Sequence, residues 1–318
     1  MKRYGKAVAW ILTLWMVIPA AARTPGPEPC APPDGGMIVH RDLAYAPSGH
    51  RLQKLDLYLP GGGERLPLIL HVHGGAFLGG DKSDGVPLEY VTRGYAVASI
   101  NYRLSGDAVF PAQIEDCKAA VRWLRSNASK YGLDPDRFAA WGASAGGHLS
   151  ALLGTAGSAR EFEVGGFPEV SSKVQAVVDY YGPSDFLQMD GHRMPDGMVH
   201  DPADSPESRL IGGAIQENRE KVARANPVSY ITKNAPPFLI VHGDSDPLVP
   251  HHQSVLLAEA LSRAGVAVVF YTVKGGGHGN FSDPEVPRLT ERFLAEHLKP
   301  FLEPENPAGR RGQSNAVR

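Results

Sequence analysis

Residues 137–146 read Arg137-Phe138-Ala139-Ala140-Trp141 and then Gly142-Ala143-Ser144-Ala145-Gly146. An apolar, strand-like run feeds a serine flanked by glycines two positions away on either side, and an apolar, helix-like run follows. That spacing marks a nucleophile elbow, a sharp turn from strand to helix. The turn holds its central residue in a strained backbone conformation, and side chains at the flanking positions would clash, hence the glycines. It lifts the Ser144 hydroxyl clear of the sheet and leaves the Ala145 N–H pointing into the same space. With 36 glycines in 318 residues the pentapeptide is not specific by itself. A plain Gly/Ser turn is the alternative, so the surroundings decide.

Working outward, strand-like and helix-like stretches alternate. Residues 51–59 alternate apolar and polar, as a half-exposed strand does. Residues 67–72 and 95–100 are denser apolar runs, as expected of strands covered on both faces. Residues 111–130 have helical periodicity with proline at the start. After the elbow, 174–178, 237–241 and 266–273 read as three more buried strands. Helices are expected over 254–264 and 289–302. Strand and helix in alternation over most of a chain predict an α/β fold, a mostly parallel sheet with helices on both faces. One stretch breaks the rhythm. Residues 183–225 carry Met189, Met194 and Met198 among glycines, prolines and charges, and predict a modest cap-like insertion, with a solvated surface excursion as the alternative.

A serine hydroxyl is a weak nucleophile and needs a base beside it. In elbow folds the partners follow in the order serine, acid, histidine, each in a loop after a strand. His242-Gly243-Asp244-Ser245-Asp246-Pro247 follows the 237–241 strand, and Gly275-Gly276-Gly277-His278-Gly279 follows the 266–273 strand. His278, among glycines at a strand end, is the candidate base. For the acid, Asp244 and Asp246 both stand in the right loop, and Asp185, after the strand ending near Tyr180, is a third candidate. One of the loop aspartates can instead satisfy backbone N–H groups of the turn. His73 and His242 are expected to brace their loops by hydrogen bonding. Backbone donors for a developing oxyanion are offered by Ala145 and by His73-Gly74-Gly75-Ala76-Phe77, after the 68–72 strand.

Composition narrows the partners. A chain of this length can bury one large core. A net charge of −2 with no basic stripe gives no electrostatic case for nucleic acid. Lys2, Arg3 and Lys6, a mostly apolar run over 7–18 and then Ala20-Ala21-Ala22 have the order of a secretory signal peptide, 1–22, cleaved near Ala22. The apolar run is short for a bilayer span, so no stable membrane anchor is expected, and the location predicted is secreted or periplasmic. Residues 23–40 read as a flexible leader, 41–302 as the catalytic domain and 303–318 as a flexible tail. Cys117 shares a helical stripe with Ile114, Val121 and Leu124 and reads as a small core residue. Export leaves a bridge to Cys30 open. No metal-ligand spacing uses either cysteine, and serine-based acyl transfer needs no cofactor.

Taken together these blocks resemble the α/β-hydrolase superfamily, in particular the hormone-sensitive-lipase-like and feruloyl/acetylxylan-type esterases of bacteria. The resemblance runs from about Leu55 to Leu302. It rests on His73-Gly74-Gly75-Ala76-Phe77, Asn101-Tyr102-Arg103-Leu104, the 116–125 segment, Gly142 to Leu149, His242 to Pro250 and Gly277-His278-Gly279. It implies Ser144 as nucleophile, His278 as base and Asp246 as acid, because the family's acid is the second aspartate of the block that opens His242-Gly243. It implies oxyanion donors at the N–H groups of Gly75, Ala76 and Ala145. Ala76 departs from the third glycine of many lipase-like members and points to the carbohydrate-esterase-like branch. The implied reaction is hydrolysis of short-chain or carbohydrate-linked esters through an acyl-enzyme. An arylformamidase or peptidase on the same scaffold, and a catalytically silent binding protein, stand as alternatives.

Overall fold

A computed structural model describes residues 36–62 and 64–298. The elements are, in chain order, β1 (Met37–Ala44), β2 (Lys54–Pro60), β3 (Leu66–Val72), β4 (Ala96–Ile100), α1 (Ala112–Ser126), α2 (Ala128–Tyr131), β5 (Leu133–Ala143), α3 (Ala145–Thr155), β6 (Ala176–Tyr180), α4 (Pro206–Ile211), α5 (Arg219–Ala225), β7 (Phe238–Gly243), α6 (His252–Arg263), β8 (Val268–Val273) and α7 (Glu285–Leu298). The strands form one sheet in the order β1-β2-β4-β3-β5-β6-β7-β8. β1 and β4 run antiparallel to β2, and every pairing from β4 through β3 to β8 is parallel.

The density of apolar residues in the middle strands follows from burial on both faces. β3 and β4 are buried at every position. Successive side chains of a strand face opposite ways, and β3 shows it. Leu68 and Leu70 join a core with Ile114 and Val121 of α1 and Leu149 and Leu152 of α3. Ile69 joins a second core with Leu289 and Phe293 of α7. Leu149, Leu152 and Leu153 are fully buried, each contributing about 1.5–3 kcal/mol of transfer free energy. α3, the helix that leaves the elbow, is thereby held against the sheet.

Position in the sheet corrects several readings. β2 is not half-exposed: β1 and β4 flank it, and six of its seven residues are buried. β8 is not buried, because it is the edge strand and only Val273 is fully covered. The expected leader ends too late, since residues 37–40 already belong to β1 and pair with β2. The 111–130 helix is two helices, separated at Asn127. The insertion holds α4 and α5, and its Phe186, Met189, Leu210, Ile215, Val222 and Ala225 are buried in the same core as α1 and α3. Six such side chains would otherwise meet water, so the segment is anchored rather than perched.

Cys117 is fully buried on α1 as a core residue with its thiol free, and burial pushes that thiol well above its ordinary range. Cys30 and the segments 1–22 and 303–318, read above as signal peptide and tail, lie outside the described residues. Among the described residues no helix is long and apolar enough to cross a membrane.

Candidate active site

Ser144 sits between β5 and α3 with φ 56° and ψ −123°, a left-handed strained conformation. The flanking glycines answer to sterics. A Cβ on Gly142 would stand 2.2 Å from the Gly146 carbonyl, and one on Gly146 would stand 2.0 Å from the Val72 carbonyl oxygen. The helix therefore starts directly against the end of β3. The Ser144 N–H donates to Tyr180 O at 2.8 Å, and its carbonyl accepts from His148 N at 3.0 Å. Ala145 opens α3, so its N–H has no carbonyl one turn back.

The loop after β3 lies against this elbow: a Cβ on Gly74 would be 3.6 Å from that of Ser144. Gly75, Ala76 and Phe77 follow with φ of 106°, 55° and 61°. For the alanine and phenylalanine this costs about 1–2 kcal/mol each, and the surroundings supply the difference. Leu78 and Gly79 N–H groups donate to Gly75 O at 2.9 and 3.1 Å, and Ser105 N donates to Phe77 O at 2.8 Å. Tyr102 donates its hydroxyl to His73 O at 3.0 Å while its ring stacks on that imidazole at 4.4 Å. Phe77 is buried edge-on against His148 and Phe186. Among the described residues the N–H groups of Gly75, Ala76 and Ala145 have no acceptor, and all three belong to segments that adjoin Ser144.

The loops after β7 and β8 carry Asp246 and His278. Their loops touch because Gly243 has no side chain: a Cβ there would lie 2.1 Å from Gly276 O. Asp246 Oδ2 accepts from His278 Nδ1 at 2.7 Å and from His242 Nε2 at 3.1 Å. Its Oδ1 accepts from the Leu248 and Val249 N–H groups at 2.7 and 3.0 Å. Burial by itself would raise this carboxyl, but the hydrogen bonds from His242 and His278 outweigh it and hold Asp246 well below the usual carboxylate range. His242 is further tied to Ser254 and to Val249 O, and so braces the loop as expected. His73 is likewise committed, its Nδ1 lying 2.7 Å from Gly74 O. The other two candidate aspartates have different partners. Asp244 is exposed, accepts from Gly275 N at 2.7 Å and pairs with Lys274. Asp185 caps the turn at 186–188 and holds Gln188 and Asn226.

No hydrogen bond joins Ser144 Oγ to His278, a contact that in substrate-free enzymes of this chemistry often closes only on binding. The two are linked through the end of β6. Tyr180 O holds Ser144 N, and the next residue, Tyr181, lays its ring 4.6 Å from that of His278. Tyr181 is a site residue the sequence reading passed over. Its φ of 44° is strained for an aromatic residue, and its N–H donates to Val241 O. Burial pushes its phenol up to about 12, so it stays protonated at neutral pH. Nothing in the string Tyr180-Tyr181-Gly182 announces that conformation. Among the described residues, no group of three or more His, Cys, Asp or Glu side chains is gathered as metal ligands would be.

The parallel sheet, the elbow serine and the aspartate–histidine pair in the loops after β7 and β8 are those of an α/β-hydrolase. The family model of BD-FAE matches residues 55–261, and the chain belongs to that family. It is 34% identical over 268 residues to Esterase LipQ of Mycobacterium tuberculosis, a match covering 82% of this chain and 61% of that protein. It is 32% identical over 243 residues to Carboxylesterase NlhH of the same organism, covering 73% of each. Among solved structures, a truncated form of a carbohydrate esterase from gut microbiota superposes with a TM-score of 0.76 at 33% identity. That match covers 85% of this chain and all of the other.

Proposed function

We propose that this chain hydrolyses carboxylic esters through an acyl-enzyme formed on Ser144. The observation that carries the reading is the 2.7 Å hydrogen bond from His278 to Asp246, made in loops linked to the strained elbow through Tyr180 and Tyr181. With Nδ1–H given to Asp246, the lone pair of Nε2 is left to act as base. His278 takes the Ser144 proton as Oγ bonds to the ester carbonyl carbon, and the carbonyl electrons move onto oxygen. That oxyanion meets the N–H groups of Gly75, Ala76 and Ala145, donors with no acceptor among the described residues. Collapse breaks the bond to the alkoxy oxygen, which leaves with the proton from His278. Water then attacks the acyl group, His278 takes its proton and returns it to Ser144 Oγ, and the acid departs. Asp246 stays ionised throughout, orienting the ring and stabilising the imidazolium.

Short acyl groups on small or carbohydrate alcohols are the substrates this reading favours. The carbohydrate esterase from gut microbiota supports it, and the named esterases among the relatives support ester hydrolysis in general. The basic, apolar and small residues at the amino terminus support export to where such esters occur. The test is a panel of acetyl, butyryl, octanoyl and feruloyl esters compared by kcat/KM. Acetyl or feruloyl esters are expected to lead. A clear preference for octanoyl would refute the carbohydrate reading.

A further inference from the structure

The insertion between β6 and β7 is bound directly to the loop that carries Asp246. The Met198 N–H donates to Pro247 O at 2.7 Å. Two residues on, the buried His200 ring lies with Nε2 3.0 Å from Leu248 O and Nδ1 3.0 Å from Glu207 Oε2. Leu248 and Val249 are the residues whose N–H groups hold Asp246 Oδ1. His200 thus reaches the acid through one peptide unit.

Both partners of the ring are acceptors. A carbonyl oxygen has no hydrogen to give, and neither has a carboxylate, so each ring nitrogen must carry one. We infer that His200 is an imidazolium that clamps the insertion onto the acid loop and so positions Asp246, making it a positioning residue for the reaction proposed above. The inference rests on that reading only for its effect on turnover.

The groups around the ring agree. From α4 it is faced by Glu207. From its own segment Asp190 accepts the backbone N–H groups of His200 at 2.7 Å and Asp201 at 3.0 Å. From the acid loop it is faced by the Leu248 carbonyl, with Asp246 one hydrogen bond beyond. Burial by itself lowers the His200 pKa, but Glu207, Asp190 and the Leu248 carbonyl outweigh it and leave the ring above the ordinary histidine value of 6.5. A folded-state pKa raised in this way contributes stability that is complete below the unfolded value and lost as pH rises through the folded one. When that proton leaves, the carboxylate keeps the remaining N–H on Nδ1. A lone pair on Nε2 then faces the Leu248 oxygen, and the clamp opens.

Glu207→Gln separates this clamp from a merely structural contact. A glutamine amide can donate to Nδ1, so a neutral ring then satisfies both neighbours and still donates Nε2–H to Leu248 O. The experiment records kcat/KM against pH for nitrophenyl acetate with wild type, E207Q and H200A, together with ring ¹⁵N shifts of His200. The wild type is expected to lose about tenfold in kcat/KM, reversibly, as His200 deprotonates. E207Q is expected to lack that alkaline limb, and H200A to have a lowered kcat at every pH with KM little changed. The ¹⁵N spectrum should show both nitrogens protonated at neutral pH. A neutral His200 ring at neutral pH overturns the proposal, and so do alkaline limbs that superpose in wild type and E207Q. A wild type with no ester hydrolysis but a protonated His200 ring overturns the functional reading instead and leaves the clamp standing.

Discussion

Replacing Ser144 with alanine is expected to lower kcat/KM for a short-chain nitrophenyl ester by about 10⁴- to 10⁶-fold, with the fold intact. On the proposed mechanism the size follows from the loss of covalent chemistry: without Oγ no acyl-enzyme forms, and only binding and the backbone N–H donors remain to assist water. Stability should barely change. Alanine bears the same φ of 56° as the serine it replaces. Ser144 Oγ makes no hydrogen bond among the described residues, so no buried partner is orphaned by its removal. Comparable turnover in the variant, measured with its thermal transition, would remove Ser144 from the mechanism.

Asp246→Asn is expected to cost about 10⁴-fold in kcat, and here the local geometry sharpens the reason. Oδ1 already serves the Leu248 and Val249 N–H groups, so an asparagine would keep its carbonyl oxygen there. Its NH₂ would then face His278 and His242, both of which now donate to Oδ2. His278 could satisfy that arrangement only with a lone pair on Nδ1, which puts the hydrogen on Nε2, where a base must have none. Stability should move with pH in the matching sense. The Asp246 carboxyl is depressed in the folded chain, so its contribution is present above the unfolded carboxylate value and lost as pH falls through the folded one. The variant should therefore lose part of the acid sensitivity of unfolding seen in wild type. Near-normal kcat in Asp246→Asn would shift the role to another carboxylate.

Much of this candidate site was readable in the string of residues. The elbow shows in sequence because its constraint is local: two glycines must stand where Cβ atoms would strike Val72 O and Gly146. The acid and histidine loops show because each ends a strand with glycines that allow a close approach. What escaped depends on the sheet as a whole or on pairs distant in sequence. The residues of β1, Met37–Ala44, are half-exposed or exposed in every case, so they carry no dense apolar signal. β8 is valine-rich yet lies at an edge, which only the strand order reveals. The left-handed Ala76, Phe77 and Tyr181 are not glycines, and their conformations are imposed by packing and hydrogen bonds from elsewhere. His200 meets Leu248 across 48 residues, and no local pattern links the two.

The most direct test of the account is covalent trapping of the nucleophile. The protein is incubated with a fluorophosphonate, digested, and the modified peptide located by mass spectrometry while activity is followed. The expected result is one adduct per chain, on Ser144, formed in proportion to the loss of ester hydrolysis and absent from Ser144→Ala. Full inactivation with the adduct on another residue, or undiminished hydrolysis after complete labelling of Ser144, would contradict it.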